Sequence, residues 1–435
     1  MAPGNPAAPA RLPTPVLLCF LAGPMLSMID SSVVNVAVPI IVRSLHTTLG
    51  TAAWAVSGYL LGLACGLAVT PWLARRFGTL PAYGAALLAF TLASAACALV
   101  PSVAWLIAAR VAQGLAGAPM VPLAMSLILD PARATDRARG MPASAGVVLF
   151  AAPALGPAVG GLLISAFGWR SVFLVNLPVG LLALAGVRAA RRAMPADGGD
   201  HSARLDVPGL LLLAAGLGLA TYGASKGPSL GWLSAASAPA WLGGLALVAC
   251  YVQHERAAGR GRRAPAAVGL GLLRSPARAV TLALACIASV VLFAVLFLAP
   301  VFLQQIQQHS TTVTGLVLLP QGVVMGLASW LGSVLVERGQ ARPVVITASV
   351  AGGLALLAAC TLGLLLLTAS TPLWVTTILL CGRGAALGLT VQPLVMALLD
   401  GLPSSAMPDA NTLFNMAERL SGSFGIALLA TLYAS

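Results

Sequence analysis

Long apolar runs alternate with short polar connections along the whole chain. Thirteen such runs span about 15–42, 51–73, 80–100, 103–129, 141–167, 171–190, 207–225, 233–252, 280–304, 313–336, 344–368, 372–399 and 411–433. Most reach or exceed the roughly 20 residues that carry an α-helix, rising about 1.5 Å per residue, across a hydrocarbon core of about 30 Å. The pattern therefore predicts an all-α polytopic membrane protein. The eighth run is the weakest, because Pro239 interrupts it.

Composition agrees. Of the 435 residues 59% are hydrophobic and 8% charged, and the mean hydropathy is +0.95. A soluble domain carries about a quarter charged residues. The net charge of +13 does not form a nucleic-acid surface, because the arginines recur in small clusters between apolar runs. Connections after even-numbered runs hold Arg75 and Arg76, then Arg133, Arg137 and Arg139, then Arg188, Arg191, Arg192 and Arg204. Arg256 to Arg278, Arg338, Arg342 and Arg419 continue the series, while the opposite connections offer Arg43, Arg170 and the lone Lys226. An excess of positive charge marks the cytoplasmic side, so the N-terminus is expected in the cytoplasm. Met1 to Pro15 lacks a short apolar segment with a small-residue cleavage site, so the first run reads as a retained helix.

Asp30 falls near the middle of the first run. An ionised carboxylate at that depth costs at least about 2.5–3.5 kcal/mol. The other acids are placed in or beside cytoplasmic connections, which leaves Asp30 as the one deep acid. It could be a polar residue hydrogen-bonded inside the bundle, or the proton site of a transport path. Arg110 lies in the fourth run with Gln113 three residues on, so the two share a helix face beside Gly114 and Gly117. A buried arginine stays charged and needs a carboxylate, carbonyls or water. Asp30 is the acid available to it, and in the functional reading Arg110 tunes the proton affinity of Asp30 until a conformational change separates the two.

The fifth run carries Ala152, Gly156 and Gly160 as a stripe of small residues, with Pro153 and Pro157 to bend the helix and Gly161 beside it. Such a helix packs closely on a neighbour and could serve as a hinge. Other polar residues inside runs are candidates for the substrate path: Asn35, Ser57, Tyr59, Gln113, Gln304, Arg383, Gln392 and Asn415. Asn35 is about 140° around the helix from Asp30 and need not face the same cavity. Trp54, Trp72, Trp169, Trp232 and Trp374 sit near run ends, as interface anchors do.

The chain repeats itself. Leu73-Ala74-Arg75-Arg76-Phe77-Gly78-Thr79-Leu80-Pro81 after the second run parallels Leu335-Val336-Glu337-Arg338-Gly339-Gln340-Ala341-Arg342-Pro343 after the tenth. Arg110 likewise has a counterpart in Arg383 of the twelfth run. Two related halves are a transporter pattern. The expected division is a first half over 1–195 (helices 1–6), two inserted helices with cytoplasmic linkers over 196–275, and a second half over 276–435 (helices 9–13). The histidines His46, His201, His254 and His309 lack metal spacing, and no Walker loop is present. No nucleophile–base set points to an enzyme. The seven cysteines sit in or at the end of apolar runs without CxxC spacing and read as small buried hydrophobes.

Together these residues resemble the major facilitator superfamily, and within it the 14-helix drug:proton antiporters of the EmrB/QacA type. Asp30-Ser31-Ser32-Val33-Val34-Asn35-Val36-Ala37-Val38-Pro39 is similar to the helix-1 motif of that branch. Arg110-x-x-Gln113-Gly114 resembles its helix-4 motif, associated with proton transfer, and Gly156-Pro157-x-x-Gly160-Gly161 its helix-5 antiporter motif. Trp169-Arg170, Asn176-x-Pro178-x-Gly180 and Leu205-Asp206-x-Pro208-Gly209 add to the likeness, which covers nearly the whole chain. The resemblance implies two six-helix halves with two inserted helices, no cofactor beyond a proton gradient, and residence in the cell membrane. It also implies export of small hydrophobic or amphipathic compounds against protons by rocking of the halves, with Asp30 as proton acceptor. Arg75, Arg76, Gly78, Glu337 and Arg338 would form the cytoplasmic gating loops.

The sequence departs from the family in two places. After helix 2 the family has Gly, then Asp, then basic residues after a second Gly, where this chain has Pro71, Arg75, Thr79 and Leu80. The chain also stops at Ser435, at the thirteenth run, so a fourteenth helix is expected to be absent and the second half incomplete. With one deep acid the expected substrates are neutral or monocationic, and the partners are lipid, protons and substrate, with no nucleic acid, for a chain acting as a monomer. Dedicated export of one metabolite, or a degenerate member that no longer transports, are the alternatives.

Overall fold

A computed structural model describes residues 14–128, 143–193, 199–235, 237–258, 272, 275–338, 343–402 and 407–434. Among these residues every regular element is helical. In chain order they are α1 (Thr14–Ser44), α2 (Leu49–Phe77), α3 (Thr79–Ala98), α4 (Val103–Gly117), α5 (Met120–Ile128), α6 (Ala143–Phe167), α7 (Ser171–Leu174) and α8 (Asn176–Ala193). Then follow α9 (Val207–Leu230), α10 (Ala238–Ala258), α11 (Pro276–Val301), a π-turn (Phe302–Ile306), α12 (Thr311–Arg338), α13 (Pro343–Leu364), α14 (Leu373–Leu399) and α15 (Met407–Ala434). Each of the thirteen apolar runs becomes a helix or a pair of helices, and among the described residues ten stretches are long and apolar enough to cross a bilayer.

Where the structure differs, proline and glycine explain it. The fourth run breaks at Ala118-Pro119 into α4 and α5, because Pro119 donates no backbone hydrogen bond. The sixth run breaks into α7 and α8 around Val175, ahead of Pro178. Pro239 does not interrupt the eighth run. It occupies the first turn of α10, where a missing N–H costs nothing.

Large apolar side chains remain exposed on most helices, among them Leu92, Leu182, Leu211, Leu331, Leu362 and Ile378. A protein in water would bury them, while a lipid-facing surface is made of them. Trp169 is a correction to the interface reading: it is buried, donates to Ser44 Oγ at 3.0 Å and stacks edge-on to Phe173. Cys250 is exposed rather than buried.

The helices α1 to α8 pack chiefly on one another, as do α11 to α15. Between these sets, α6 lies on α12 and α2 on α15. The hairpin of α9 and α10 rests through α9 on α15 and α2. The small-residue stripe on α6 faces α1: a Cβ at Gly156 would overlap Ser32 Oγ, and one at Gly160 would overlap Val33. The neighbouring face meets α12, where Gly161 lies against the Thr311 carbonyl and Gly315 against that of Pro157. One glycine-rich helix thus sits close between both sets.

Candidate functional site

Asp30, Arg110 and Gln113 are all completely buried, and helix packing brings them together. Gly62 and Gly114 let α2 and α4 touch backbone to backbone, which sets Arg110 beside the α2 main chain. Its Nε donates to the Ala55 carbonyl at 2.9 Å, and its guanidinium lies 4.0 Å over the Tyr59 ring. Nη1 then reaches Asp30 Oδ2 in a salt bridge and Gln113 Oε1 at 2.6 Å. The carboxylate's other oxygen accepts from Gln113 Nε2 at 3.1 Å and from Asn176 Nδ2 at 2.9 Å. Both amides also donate to Ser94 Oγ, at 2.6 and 2.8 Å. Cys97 Sγ donates to Gln113 Oε1 at 3.5 Å.

The result is one polar cluster drawn from α1, α2, α3, α4 and α8 in an otherwise apolar core. A buried charge is tolerated when it is paired and its remaining lone pairs are filled, and both conditions hold for Asp30. Arg110 Nη2 is left without a partner. Sequence reasoning found the pair but missed Asn176 and Ser94 as its supports. Ser94 is signalled only as a polar residue inside an apolar run, which many structural residues share, and Asn176 stood out in the Asn176-x-Pro178-x-Gly180 likeness without pointing to Asp30.

A cavity of about 800 Å³ lies between the two sets of helices. Thr70, Pro71 and Ala74 of α2, Ser126 of α5 and Met407 of α15 place it toward the end of the bundle that carries Arg75 and Arg76. The opposite end is sealed. There Gln304 Nε2 donates to the Val36 carbonyl at 2.9 Å, Thr311 Oγ1 to the Gly161 carbonyl at 3.2 Å, and Thr312 Oγ1 to Ser165 Oγ at 3.0 Å. Asp30 does not line the cavity. Ser27 and Ser31, one turn below and one residue beyond it on α1, do.

Of the residues expected along the path, Asn415 lines this cavity. Tyr59 lies behind the wall, under Arg110 and donating to the Ser27 carbonyl at 2.9 Å. Gln113 belongs to the Asp30 cluster, and Gln304 to the sealed end. Asn35 is buried and donates to the carbonyls of Ser31 and Ser32 at 3.4 and 3.2 Å. Arg383 is completely buried and donates to the carbonyls of Val291 and Leu292 on α11, with Nε and Nη1 unpartnered. The side chains of Gln392, Glu337 and Arg338 lie outside the described residues, as do Arg133, Arg137 and Arg139. Arg419 and Glu418 do not belong to a connection: both lie in the body of α15.

The end of α2 and the start of the loop after it are held by residues 199–203. Asp200 N–H donates to the Arg75 carbonyl at 2.8 Å, Gly199 packs on the Arg76 backbone, and Trp72 Nε1 donates to the Ala203 carbonyl at 3.2 Å. Residues 199–203 are thereby docked on the end of α2. Next to it, His254 Nε2 contacts both carboxylate oxygens of Asp206, at 2.9 and 3.0 Å, while Asp206 caps α9 through Gly209 N–H. Among the described residues no group of three or more His, Cys, Asp or Glu could hold a metal.

The profile of the Major Facilitator Superfamily matches residues 20–426. The chain is similar to the "Multidrug resistance protein B homolog" of Mycobacterium tuberculosis, 33% identical over 437 residues, covering 99% of this chain and 78% of the relative. It is also similar to the "Methylenomycin A resistance protein" of Streptomyces coelicolor, 30% identical with 96% and 85% covered. Among solved structures, a bacterial homolog of the human lysosomal transporter Spinster aligns with a TM-score of 0.66 at 16% identity, covering 98% of this chain and 82% of that one. The xylose transporter XylE from E. coli aligns with a TM-score of 0.60 at 15% identity, with 96% and 91% covered.

Proposed function

The chain belongs to the major facilitator superfamily, a membrane transporter and not an enzyme, and from that premise we propose that it exports small hydrophobic or amphipathic compounds in exchange for protons. The observation that carries this reading is the buried Asp30–Arg110 pair standing directly behind the cavity wall formed by Ser27 and Ser31. Resistance proteins among the relatives support the direction of transport.

The cavity faces the arginine-bearing end, which the distribution of positive charge assigns to the cytoplasm. The conformation is then inward-facing, with substrate entering from the cytoplasm. Residues 1–195 and 276–435 would rock about the α6–α12 and α2–α15 contacts, carrying 196–275 as a peripheral pair. Switching opens the sealed end and lets a proton reach Asp30. A neutral Asp30 no longer holds the guanidinium, but Arg110 keeps Gln113 Oε1, the Ala55 carbonyl and the Tyr59 ring as partners. The cation is thus supported in both protonation states, which a coupling site requires. Return to the inward state restores the ion pair as the proton leaves. The chain would act as a monomer in the cell membrane with its N-terminus in the cytoplasm, and need only the proton gradient.

The test compares wild type with Asp30→Asn at equal expression in everted membrane vesicles, following proton-driven uptake of a panel of dyes and drugs. Uptake by wild type and none by Asp30→Asn is the expected result. Equal uptake by both would remove Asp30 from the coupling step, and uptake by neither would sink the exporter reading.

A further inference from the structure

The cavity wall carries a single formal charge among the described residues, and that charge is positive. Asn411, Asn415 and Arg419 follow one another at four-residue spacing on α15, forming a polar stripe that runs inward from Met407. Arg419 closes the stripe about 18 Å along the helix from Met407, at about 1.5 Å per residue. One turn further, Ser423 Oγ donates to the Ser57 carbonyl at 2.9 Å and seals α15 against α2. The guanidinium lies 5.8 Å over the Phe293 ring and makes no ion pair among the described residues, its neighbour Glu418 included. Asp400 and Asp409 stand near the mouth in sequence, yet neither lines the cavity, and Asp30 is withdrawn behind the wall with its charge cancelled by Arg110.

Resting on the exporter reading above, we propose that the substrates of this cavity are amphipathic anions. Each would carry one acidic group, a carboxylate or an acidic enol or phenol, which pairs with Arg419. Its apolar body would lie on Met28, Leu63, Leu67 and Met125. An arginine remains charged at any relevant pH, and its forked donors match a carboxylate in two parallel hydrogen bonds. In a cavity walled mostly by uncharged and largely apolar side chains, a charge with no ion pair among the described residues attracts an anion and repels a cation. This reverses the expectation of neutral or monocationic substrates, which treated Asp30 as facing the path.

The test is binding to the purified full chain in nanodiscs, read by tryptophan quenching with three probes of one shape. They are 1-naphthylacetic acid, its methyl ester and naphthylmethyl-trimethylammonium. The acid should bind about tenfold or more tighter than the ester, the gain of one charged hydrogen-bonded contact, with the cation weakest. Arg419→Gln should bring acid and ester within about twofold, by weakening the acid far more than the ester, and Arg419→Lys should keep most of the preference. A cation that binds as well as the acid in wild type, a preference that survives Arg419→Gln, or no measurable binding of the acid would each overturn the proposal. The wild-type ranking needs no variant to fold. Binding preference is also independent of proton coupling, so a normal Asp30→Asn would refute the coupling role without touching this one.

Discussion

Arg110 and Arg383 are both completely buried, on α4 and α14, but among the described residues only Arg110 of the two meets a carboxylate. Arg383 is held by the carbonyls of Val291 and Leu292 and leaves two nitrogens without partners. The same substitution should therefore have different consequences at the two positions. Arg110→Met strands the Asp30 charge in the core and is expected to destabilise by about 3–5 kcal/mol. Arg383→Met removes an unpaired charge and keeps the volume, so its thermal midpoint should stay level or rise. Thermal unfolding of the two variants in one detergent decides this, and equal losses would contradict it.

Asn176 donates to both Asp30 Oδ1 and Ser94 Oγ. Asn176→Ala leaves a charged acceptor one donor short, at a cost of about 1.5–3 kcal/mol. Proton-driven uptake should fall well below wild type at equal expression. Energy-independent substrate exchange should persist, because the cavity wall is intact. Loss of both together would place Asn176 in binding instead.

At the sealed end Gln304 donates to the Val36 carbonyl. Gln304→Leu removes about 0.5–1.5 kcal/mol of closure, a shift of about two- to tenfold toward the opened state. In a background with the native cysteines replaced, Asn35→Cys should react faster with an impermeant thiol reagent added outside. An unchanged rate would show that the α6–α12 contact holds this end without Gln304.

Gly199 touches the Arg76 backbone so closely that a Cβ would overlap the Arg76 carbonyl oxygen. Gly199→Ala should lift the segment off the α2–α3 loop, seen as faster limited proteolysis between α8 and α9 without a change in thermal midpoint. Protection equal to wild type would mean that the docking does not depend on that contact. Acid should not imitate the variant. Ser202 donates its hydroxyl at 2.6 Å and its N–H at 2.9 Å to Asp200, which holds that carboxyl below its ordinary range. A lowered value means that the turn is supported above the ordinary carboxylate range and loses that support only as pH falls through the lowered value. Cleavage at about pH 5 should match that at about pH 7.

The thirteen runs, and with them an all-helical membrane fold, were legible without any structure. The bilayer imposes its demand locally, since each crossing must satisfy its own backbone and present about 20 apolar residues. The partnership of Asp30 with Arg110 was legible as well, because a buried arginine cannot shed its charge and one deep acid stood in the first run. The breaks at Ala118-Pro119 and Val175 had signals in Pro119 and Pro178, but proline is tolerated in many membrane helices, and its presence alone does not say which of them divide.

Azimuth and depth were decided by tertiary packing alone. Which face of α1 meets the cavity depends on how closely α6 approaches through Gly156 and Gly160, and that turned Ser27 and Ser31 to the cavity and Asp30 away from it. Asn176 and Ser94 became ligands of the carboxylate only because α8 and α3 cross beside α1. Arg419 read as one more basic residue of a connection until α15 proved to run from Met407 and carried it inside. Local hydrophobicity tells a residue that it lies in a helix; only the neighbouring helices determine what that residue faces.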